Sequence, residues 1–418
     1  MVLSGLTVYK VEVEFLSPAL VIERVGKRGY TSLRDRLPGQ TIRGALLTAL
    51  WRLGIELEEL PSLQVSVDTA LPIDISKKGF FGHPFTAIPK VAPIGDERYA
   101  LSFLGPTWLA ALTRACREAL SLHRLMGDAC IQHARKIMKI GGEIASTLAL
   151  PLLERGLGRA LVEIEKPGLY IEAGYPTHLE ISTAISHARG ASEAGMIYAY
   201  EALPVGARFT TRLVDINGIL TDLMREQGLL KGGRLELSVR IGRGSSRGFG
   251  HAILRATVED GALKDVISRA QLALEAGGVP LVTSSPLTTL EADGRGIISR
   301  AWPPKTLEVP NQWHQNAALE ARGSLKLTLV DLMGLEKAVR SYSLKASLPR
   351  PELRGLVEGS LCLYKVEEAS GDAAELLALL ELVGMDELAN ICLNRVKILV
   401  EDPLPDVEGL LRAIEGVM

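Results

Sequence analysis

Apolar and polar positions alternate from Leu6 to Phe15, the two-residue period of a strand with one buried face. Ser17-Pro18 ends it. Pro38-Gly39 then reads as a turn into a helix whose apolar face runs through Leu46, Leu47, Leu50 and Leu53, with Thr41 placed to cap it. The pattern is least regular between about residues 60 and 160. There Gly79 to Pro84 reads as an exposed loop and Trp108 to Met126 as a helix, and His133, Arg135, Lys136 and Lys139 sit on another. This segment is expected to be a helical insertion in a first domain, with its charges on a solvated face. Two strand-like pieces then flank a polar, small-residue segment within Thr177 to Tyr198. A turn at Leu203-Pro204-Val205-Gly206 leads into a strand at Arg208 to Val214. Leu235 to Ile241 and Ala252 to Val258 read as two further strands.

Leu263 to Ala276 is an amphipathic helix closed by Gly277-Gly278, which predicts a domain boundary and domains over 1–276 and 279–418. The second part restarts with Pro280-Leu281-Val282-Thr283-Ser284-Ser285-Pro286-Leu287, which echoes Phe15-Leu16-Ser17-Pro18-Ala19-Leu20, as an internal duplication would. Strands are expected at Leu325 to Val330, Gly359 to Val366 and Arg395 to Val400, and helices at Ala373 to Leu382 and Val407 to Met418.

A chain of 418 residues accommodates two or three domains, and its 47% hydrophobic content supports substantial cores. The net charge of −2 excludes a globally basic nucleic-acid binder, so any such surface must be local. Aromatic content of 5% argues against extensive base-stacking platforms. Cys116, Cys130, Cys362 and Cys392 form no Cys-x-x-Cys pair, which disfavours a disulfide framework and a zinc ribbon. The start lacks the basic and apolar regions of a signal peptide, and no run is long and apolar enough to span a bilayer. A soluble, cytoplasmic protein is expected.

The stretch that carries chemistry is Gly242 to Gly250. Its four glycines allow positive φ and close approach to a ligand, and exposed N–H groups there could form an anion-binding nest. Arg240, Arg243, Arg247, His251 and Arg255 surround it, and no acidic residue lies between Glu236 and Glu259. A P-loop would need Gly-Lys-Ser/Thr and a following helix. A dinucleotide fingerprint would need its third glycine one residue earlier and a helix after it. Neither is present, and a polynucleotide backbone fits better. A hairpin turn with incidental arginines is the alternative reading. Arg43 lies in the first turn of its helix, where a bare positive charge opposes the helix dipole unless an anion or salt bridge meets it. His187 and Arg189 sit in the small-residue segment, which suits a ligand-contacting loop.

Pro38-Gly39-Gln40-Thr41-Ile42-Arg43-Gly44-Ala45, Ala184-Ile185-Ser186 with Gly195-Met196-Ile197-Tyr198, Gly206-Ala207-Arg208-Phe209, and Ile241 to Gly250 follow one another in this order. In that order they resemble the RAMP superfamily of CRISPR-associated proteins, most of all the RAMP subunits of type III effector complexes, with the type III-D branch a candidate. The resemblance covers most of residues 6–258 and, more faintly, 280–400. It implies an α+β fold of two ferredoxin-like (RRM-like) domains with antiparallel sheets, a glycine-rich RNA-binding loop in the first and a degenerate second. It implies that Gly242, Gly244, Gly248 and Gly250 let CRISPR RNA approach and that Arg243 and Arg247 meet phosphates. Arg240, Ser245, Ser246, Phe249, His251, His187 and Arg189 are the further RNA-binding residues expected, and Arg43 would face RNA or a neighbouring subunit. The second half departs from the family: Leu382 to Val396 keeps only Gly384 and carries Asp386 and Glu387, so this half is expected to be structural or protein-facing.

The expected function is a non-catalytic subunit, without metal or cofactor, that holds the 5′ tag of CRISPR RNA and contacts the large polymerase-like subunit and the other RAMP subunits. One alternative is a metal-independent endoribonuclease for precursor CRISPR RNA. Among its candidate histidines, His178, His187 and His251, His187 is the best placed. Another alternative is a structural subunit whose loop touches only protein.

Overall fold

The computed structural model describes residues 5–26, 29–33, 36–56, 63–73, 90–93, 98–102, 161–165, 175, 177–186, 191–275, 278–293, 296–300, 303–316, 322–333, 336–339, 342–343, 348–349, 353–356, 358 and 360–398. The fold is mixed α/β, built mostly of antiparallel sheets with few helices. It divides into two compact units, Leu6–Ser76 with Ala173–Glu259, and Met1–Gly5 with Lys77–Glu172 and Asp260–Met418. No helix among the described residues is long and apolar enough to cross a membrane.

The first unit begins with β1 (Thr7–Phe15), β2 (Ile22–Gly26), β3 (Gly29–Ser32), helix α1 (Gly39–Arg52), β4 (Val65–Val67) and β5 (Leu71–Pro72). The long intervening segment supplies β6 (Lys90–Pro93), β7 (Arg98–Ser102) and β8 (Leu161–Glu165), one antiparallel sheet that groups with the other unit. The helices and the loop expected in that segment lie outside the described residues. The first unit resumes with β9 (His178–Ser186), β10 (Ala191–Ala202), β11 (Arg208–Asp215), α2 (Ile219–Glu226), β12 (Arg234–Arg240) and β13 (His251–Val258). The polar segment expected as a loop is therefore mostly strand, because β9 and β10 pair antiparallel almost to their turn.

Strand β1 is the centre of the main sheet, whose order is β12-β13-β1-β11-β4 with every neighbouring pair antiparallel. Its alternation buries Tyr9, Val11, Val13 and Phe15 completely, as β12 buries Leu235, Leu237 and Val239. Helix α1 packs on β4 and β12 through Ile42, Ala45, Leu46, Ala49 and Leu50, a seam with the i, i+3, i+4, i+7, i+8 spacing of one helical face. Leu53 is exposed rather than part of that seam, since the helix ends at Arg52. Thr41 does not cap the helix: it lies inside the first turn, and its N–H bonds the Pro38 carbonyl. A second, smaller sheet has the order β2-β3-β10-β9, and within it β3 and β10 run parallel.

The second unit continues with α3 (Ala262–Glu275), β14 (Gly278–Thr283), β15 (Thr289–Asp293), β16 (Gly296–Arg300), β17 (Thr306–Val309), α4 (Gln312–Asn316) and β18 (Gly323–Met333). After these come β19 (Glu336–Val339), β20 (Tyr342–Ser343), β21 (Leu348–Pro349), β22 (Leu353–Leu356), β23 (Leu361–Gly371), α5 (Ala373–Leu382) and β24 (Val396–Ile398). Strands β15, β16 and β19 to β22 form small paired sheets that the sequence pattern did not foretell, and the expected helix at Val407 to Met418 lies outside the described residues. The main sheet has the order β17-β18-β23-β14-β24. Its strands β24, β14, β23 and β18 repeat the arrangement of β13, β1, β11 and β4: last, first, third, second, all antiparallel.

Helix α3, expected to close the first domain, belongs to the second unit, so the division falls at Glu259/Asp260 and not at Gly277-Gly278. The reason is a buried charge. Glu381 on α5 has no exposed side-chain surface, and Arg269 of α3 reaches it with two N–H donors at 2.7 and 3.0 Å and bonds the Ile398 carbonyl at 2.9 Å. A buried carboxylate must be paired, and α3 supplies a two-pronged guanidinium for it. Arg269→Leu is expected to lower unfolding free energy by about 3–5 kcal/mol, with Arg269→Leu/Glu381→Leu milder because the Glu381 carboxylate is then not left without this arginine. Denaturant midpoints of the two variants test this.

Candidate nucleic-acid interface

Strands β12 and β13 form a hairpin whose last pair is Arg240 with His251. The ten residues Ile241 to Gly250 between them make a closed loop, in which the Ile241 N–H bonds the Gly250 carbonyl at 2.8 Å. Inside it Ser245–Arg247 form a 3-10 turn. The N–H groups of Arg247 and Phe249 bond the Gly244 carbonyl, and that of Gly248 bonds Ser245. The loop is also sewn to the turn that follows β1. Gly250 donates to the Pro18 carbonyl at 2.8 Å, Arg243 to the Leu20 carbonyl at 2.9 Å, and the His251 N–H to Ser17 Oγ at 2.9 Å. Gly242 has φ +88°, and a Cβ there would run into the Leu20 carbonyl oxygen. Gly248 has the same φ but faces open space. The expected nest of N–H groups is thus largely spent on carbonyls inside the fold. What the loop presents to solvent is mainly its exposed side chains.

Arg243 and Arg247 are both exposed at the loop's surface. Arg247 Nη1 donates to the Tyr200 hydroxyl at 2.9 Å. The Arg243 guanidinium lies over the Tyr30 ring, 6.0 Å from its centroid, a cation–π distance. Tyr30 and Tyr200 are register partners on β3 and β10 and stack with centroids 5.7 Å apart and planes 7° apart. Phe249 of the loop tilts against Tyr200, and Leu20 and Ala202 form the floor. Among the described residues none of Arg240, Arg243 and Arg247 pairs with a carboxylate. Arg255, which the sequence placed in the same basic cluster, is different. Glu14 at 2.7 Å and Glu236 at 2.9 Å neutralise it, and that bond holds the Glu14 carboxyl below the usual carboxylate range.

The remaining sequence candidates scatter. Ser245, Ser246 and Arg240 are exposed beside the arginines, and His251 Nε2 lies 3.1 Å from Ser238 Oγ. Arg43 is half-buried, and its Nε donates to the Val65 carbonyl at 3.0 Å, a contact within the fold. His178 is exposed and 3.1 Å from Glu180. His187 and Arg189 lie outside the described residues. Among the described residues no cluster of His, Cys, Asp and Glu could hold a metal ion. Sequence reasoning missed Tyr30 and Tyr200. The one available signal was Tyr30 inside the basic stretch from Arg24 to Arg52.

The second unit contains the same loop. Met385 to Asn394 also spans ten residues, closed by the Met385 N–H on the Asn394 carbonyl at 3.0 Å. Asn394 donates to Pro286 as Gly250 does to Pro18, and the Arg395 N–H bonds Ser285 Oγ as His251 bonds Ser17. Each loop holds a 3-10 turn ended by a left-handed residue, Gly248 in one and Cys392 at φ +60° in the other. The glycine loop is therefore not reduced to Gly384. Its closure, its Ser-Pro anchor and its last two left-handed positions persist, with Cys392 for Gly248 and Asn394 for Gly250, while the positions of Gly242 and Gly244 are not left-handed, and Asn394 offsets its strain by bonding both the N–H and the carbonyl of Thr288 at 2.7 Å. At equal loop positions Glu387 stands for Arg243 and Ile391 for Arg247. Helix α4 braces this loop: Asn311 Nδ2 bonds the Met385 carbonyl at 2.7 Å, and His314 bonds the Gly384 carbonyl at 3.1 Å. Burial pushes His314 down to about 4, and its Nδ1 accepts the Asn311 N–H, so Nε2 is the protonated nitrogen of a neutral ring.

No protein-family model matches the chain, and no curated protein matches it. In structure it is similar to a chain of a type III-B Cmr-beta complex bound to cognate target RNA and AMPPnP, at 11% identity and a TM-score of 0.36, over 85% of this chain and 86% of that one. It is also similar to a CRISPR-associated protein Cas6, at 8% identity and a TM-score of 0.34, over 94% and 99% of the two chains. A third similar structure is Pyrococcus furiosus Cmr4 (Cas7), at 14% identity and a TM-score of 0.23, over 60% and 99%.

Gly242→Ala should unseat the loop, because its methyl meets the Leu20 carbonyl, whereas Gly248→Ala should cost only the conformational penalty of about 1 kcal/mol. Thermal unfolding of the two variants separates these effects. For His314 the unfolded side chain takes up a proton near pH 6.5 and the folded one only near pH 4. The stability supplied by the neutral ring is therefore complete above that upper value and lost as pH falls through this window. The difference in denaturant midpoint between wild type and His314→Gln should shrink across it.

Proposed function

We propose that this chain is a non-catalytic RNA-binding subunit of a type III CRISPR effector complex. The observation that carries the reading is the pair of arginines, Arg243 and Arg247, which have no carboxylate partner among the described residues and stand on a loop anchored at several backbone positions. Fixed, unneutralised guanidinium groups beside glycine backbone suit successive phosphates of a polynucleotide. The ordered motifs shared with RAMP proteins in sequence supply the CRISPR setting. The strand order of both main sheets supports reading each unit as ferredoxin-like, with the last strand next to the first and the third between first and second.

In this reading the loop holds the 5′ tag of CRISPR RNA, and the chain contacts the large polymerase-like subunit and neighbouring RAMP subunits. The second loop, with Glu387 and Ile391 in place of the arginines, takes no phosphate and serves structure or protein contact.

Labelled repeat RNA is incubated with the purified protein in EDTA at two salt concentrations, beside Arg243→Ala/Arg247→Ala. Intact RNA bound more weakly at high salt is expected. Loss of two phosphate contacts should flatten the salt slope by about 1.4 for a single strand. Cleaved RNA would replace this reading with a metal-independent ribonuclease, and wild-type binding by the variant would overturn the role of the loop.

A further inference from the structure

The stacked tyrosines behind the loop are not required to form it. The second unit builds a loop of the same ten-residue length, with the same closing bond and the same Ser-Pro anchor, without them. The two units can be put in register through one backbone bridge each, Ala19 with Leu203 and Leu287 with Leu356. Three residues before Leu203 stands Tyr200, and three before Leu356 stands Leu353. Phe249 likewise has Leu393 at its loop position, and Arg247 has Ile391. Where the arginine is absent, leucines stand at the positions of Tyr200 and Phe249, while the closure and the anchor of the loop remain. The duplicated unit acts as an internal control for Tyr200: it accompanies the arginine, not the closure of the loop.

We infer that Tyr30 and Tyr200 are positioning residues for the RNA-binding arginines, an inference that rests on the RNA reading of the loop. Arg side chains lose considerable rotamer freedom when they meet a phosphate. Tyr200 removes part of that cost in advance, since its hydroxyl accepts one Arg247 N–H and leaves the other N–H groups of the fork outward. Tyr30 does the same for Arg243 through its ring face, and the stack ties the two supports into one unit. Tyr200 is itself buried, with 6% of its surface exposed, and its ring is locked between Tyr30 and Phe249, so its hydroxyl is a fixed reference point. Neither support carries charge, so the full positive potential of the loop is kept for the ligand, unlike at Arg255, where carboxylates do the holding.

The test uses the full chain and a labelled single-stranded oligouridylate, because phosphate contact is independent of base sequence. Tyr200→Phe keeps the stack and removes only the hydroxyl. Its melting temperature should match wild type, while its affinity falls about three- to tenfold, the range of one typical net hydrogen bond. The same change in an Arg247→Ala background should have no further effect. Tyr30→Phe, which keeps the ring face, should bind as wild type, and Tyr30→Leu should bind as weakly as Arg243→Ala. Wild-type affinity of Tyr200→Phe and Tyr30→Leu, beside weakened Arg247→Ala and Arg243→Ala, would overturn the positioning role and leave the RNA reading standing. An equal loss from Tyr200→Phe with and without Arg247 would reduce the tyrosine to a structural part. Arginine variants that bind as wild type, or a wild type that binds nothing at low salt, would remove the RNA reading and this inference together.

Discussion

A short set of backbone hydrogen bonds joins the turn after a first strand to the loop before a last strand, and the rest of the candidate site depends on it. In the first unit Pro18 and Leu20 offer carbonyls, and Ser17 a hydroxyl, to Gly250, Arg243 and His251. First and last strands are neighbours in the sheet, so the turn leaving one and the loop entering the other must meet. Once they meet, their polar backbone groups need partners, and they find each other. The loop's shape follows from that demand rather than from any ligand.

The same demand is satisfied a second time, which separates what holds the loop from what the loop presents. Glycine is one way to occupy the left-handed positions. Asn394 and Cys392 are another, made affordable at Asn394 by side-chain bonds to Thr288. With the backbone settled by its anchor, the presented side chains are free to differ. One loop carries arginines on an aromatic support, and the other carries Glu387 and Ile391 and is braced from α4 through Asn311 and His314.

Charge is treated differently across the first unit. On the open face of its main sheet, Arg208 and Arg255 lie opposite glutamates of β1, and Arg212 meets Asp68. These three arginines are each met by a carboxylate. At the loop the arginines are held by a phenol and by a ring face, both uncharged. A chain with net charge −2 can in this way keep a local positive surface without becoming basic overall.

The alternation of β1, β12 and β13 and the seam of α1 were legible in the sequence, because burial on one face imposes its period locally. So were the glycine-arginine loop and the Ser-Pro echo, which are contiguous in the chain. The persistence of the second loop was not legible, since its left-handed residues are not glycines and its identity lies in hydrogen bonds to Ser285 and Pro286. Nor was the allegiance of α3, which is decided by a buried Glu381 more than one hundred residues later. The tyrosines are the sharpest case. Tyr30 and Tyr200 come together only through the parallel register of β3 on β10, and they reach Arg243 and Arg247 only because the loop is drawn down onto Leu20. Local pattern determined which segments are strands and where an anion could be met. Strand order and register, set by burial of whole sheet faces, decided which distant side chains would stand behind the arginines.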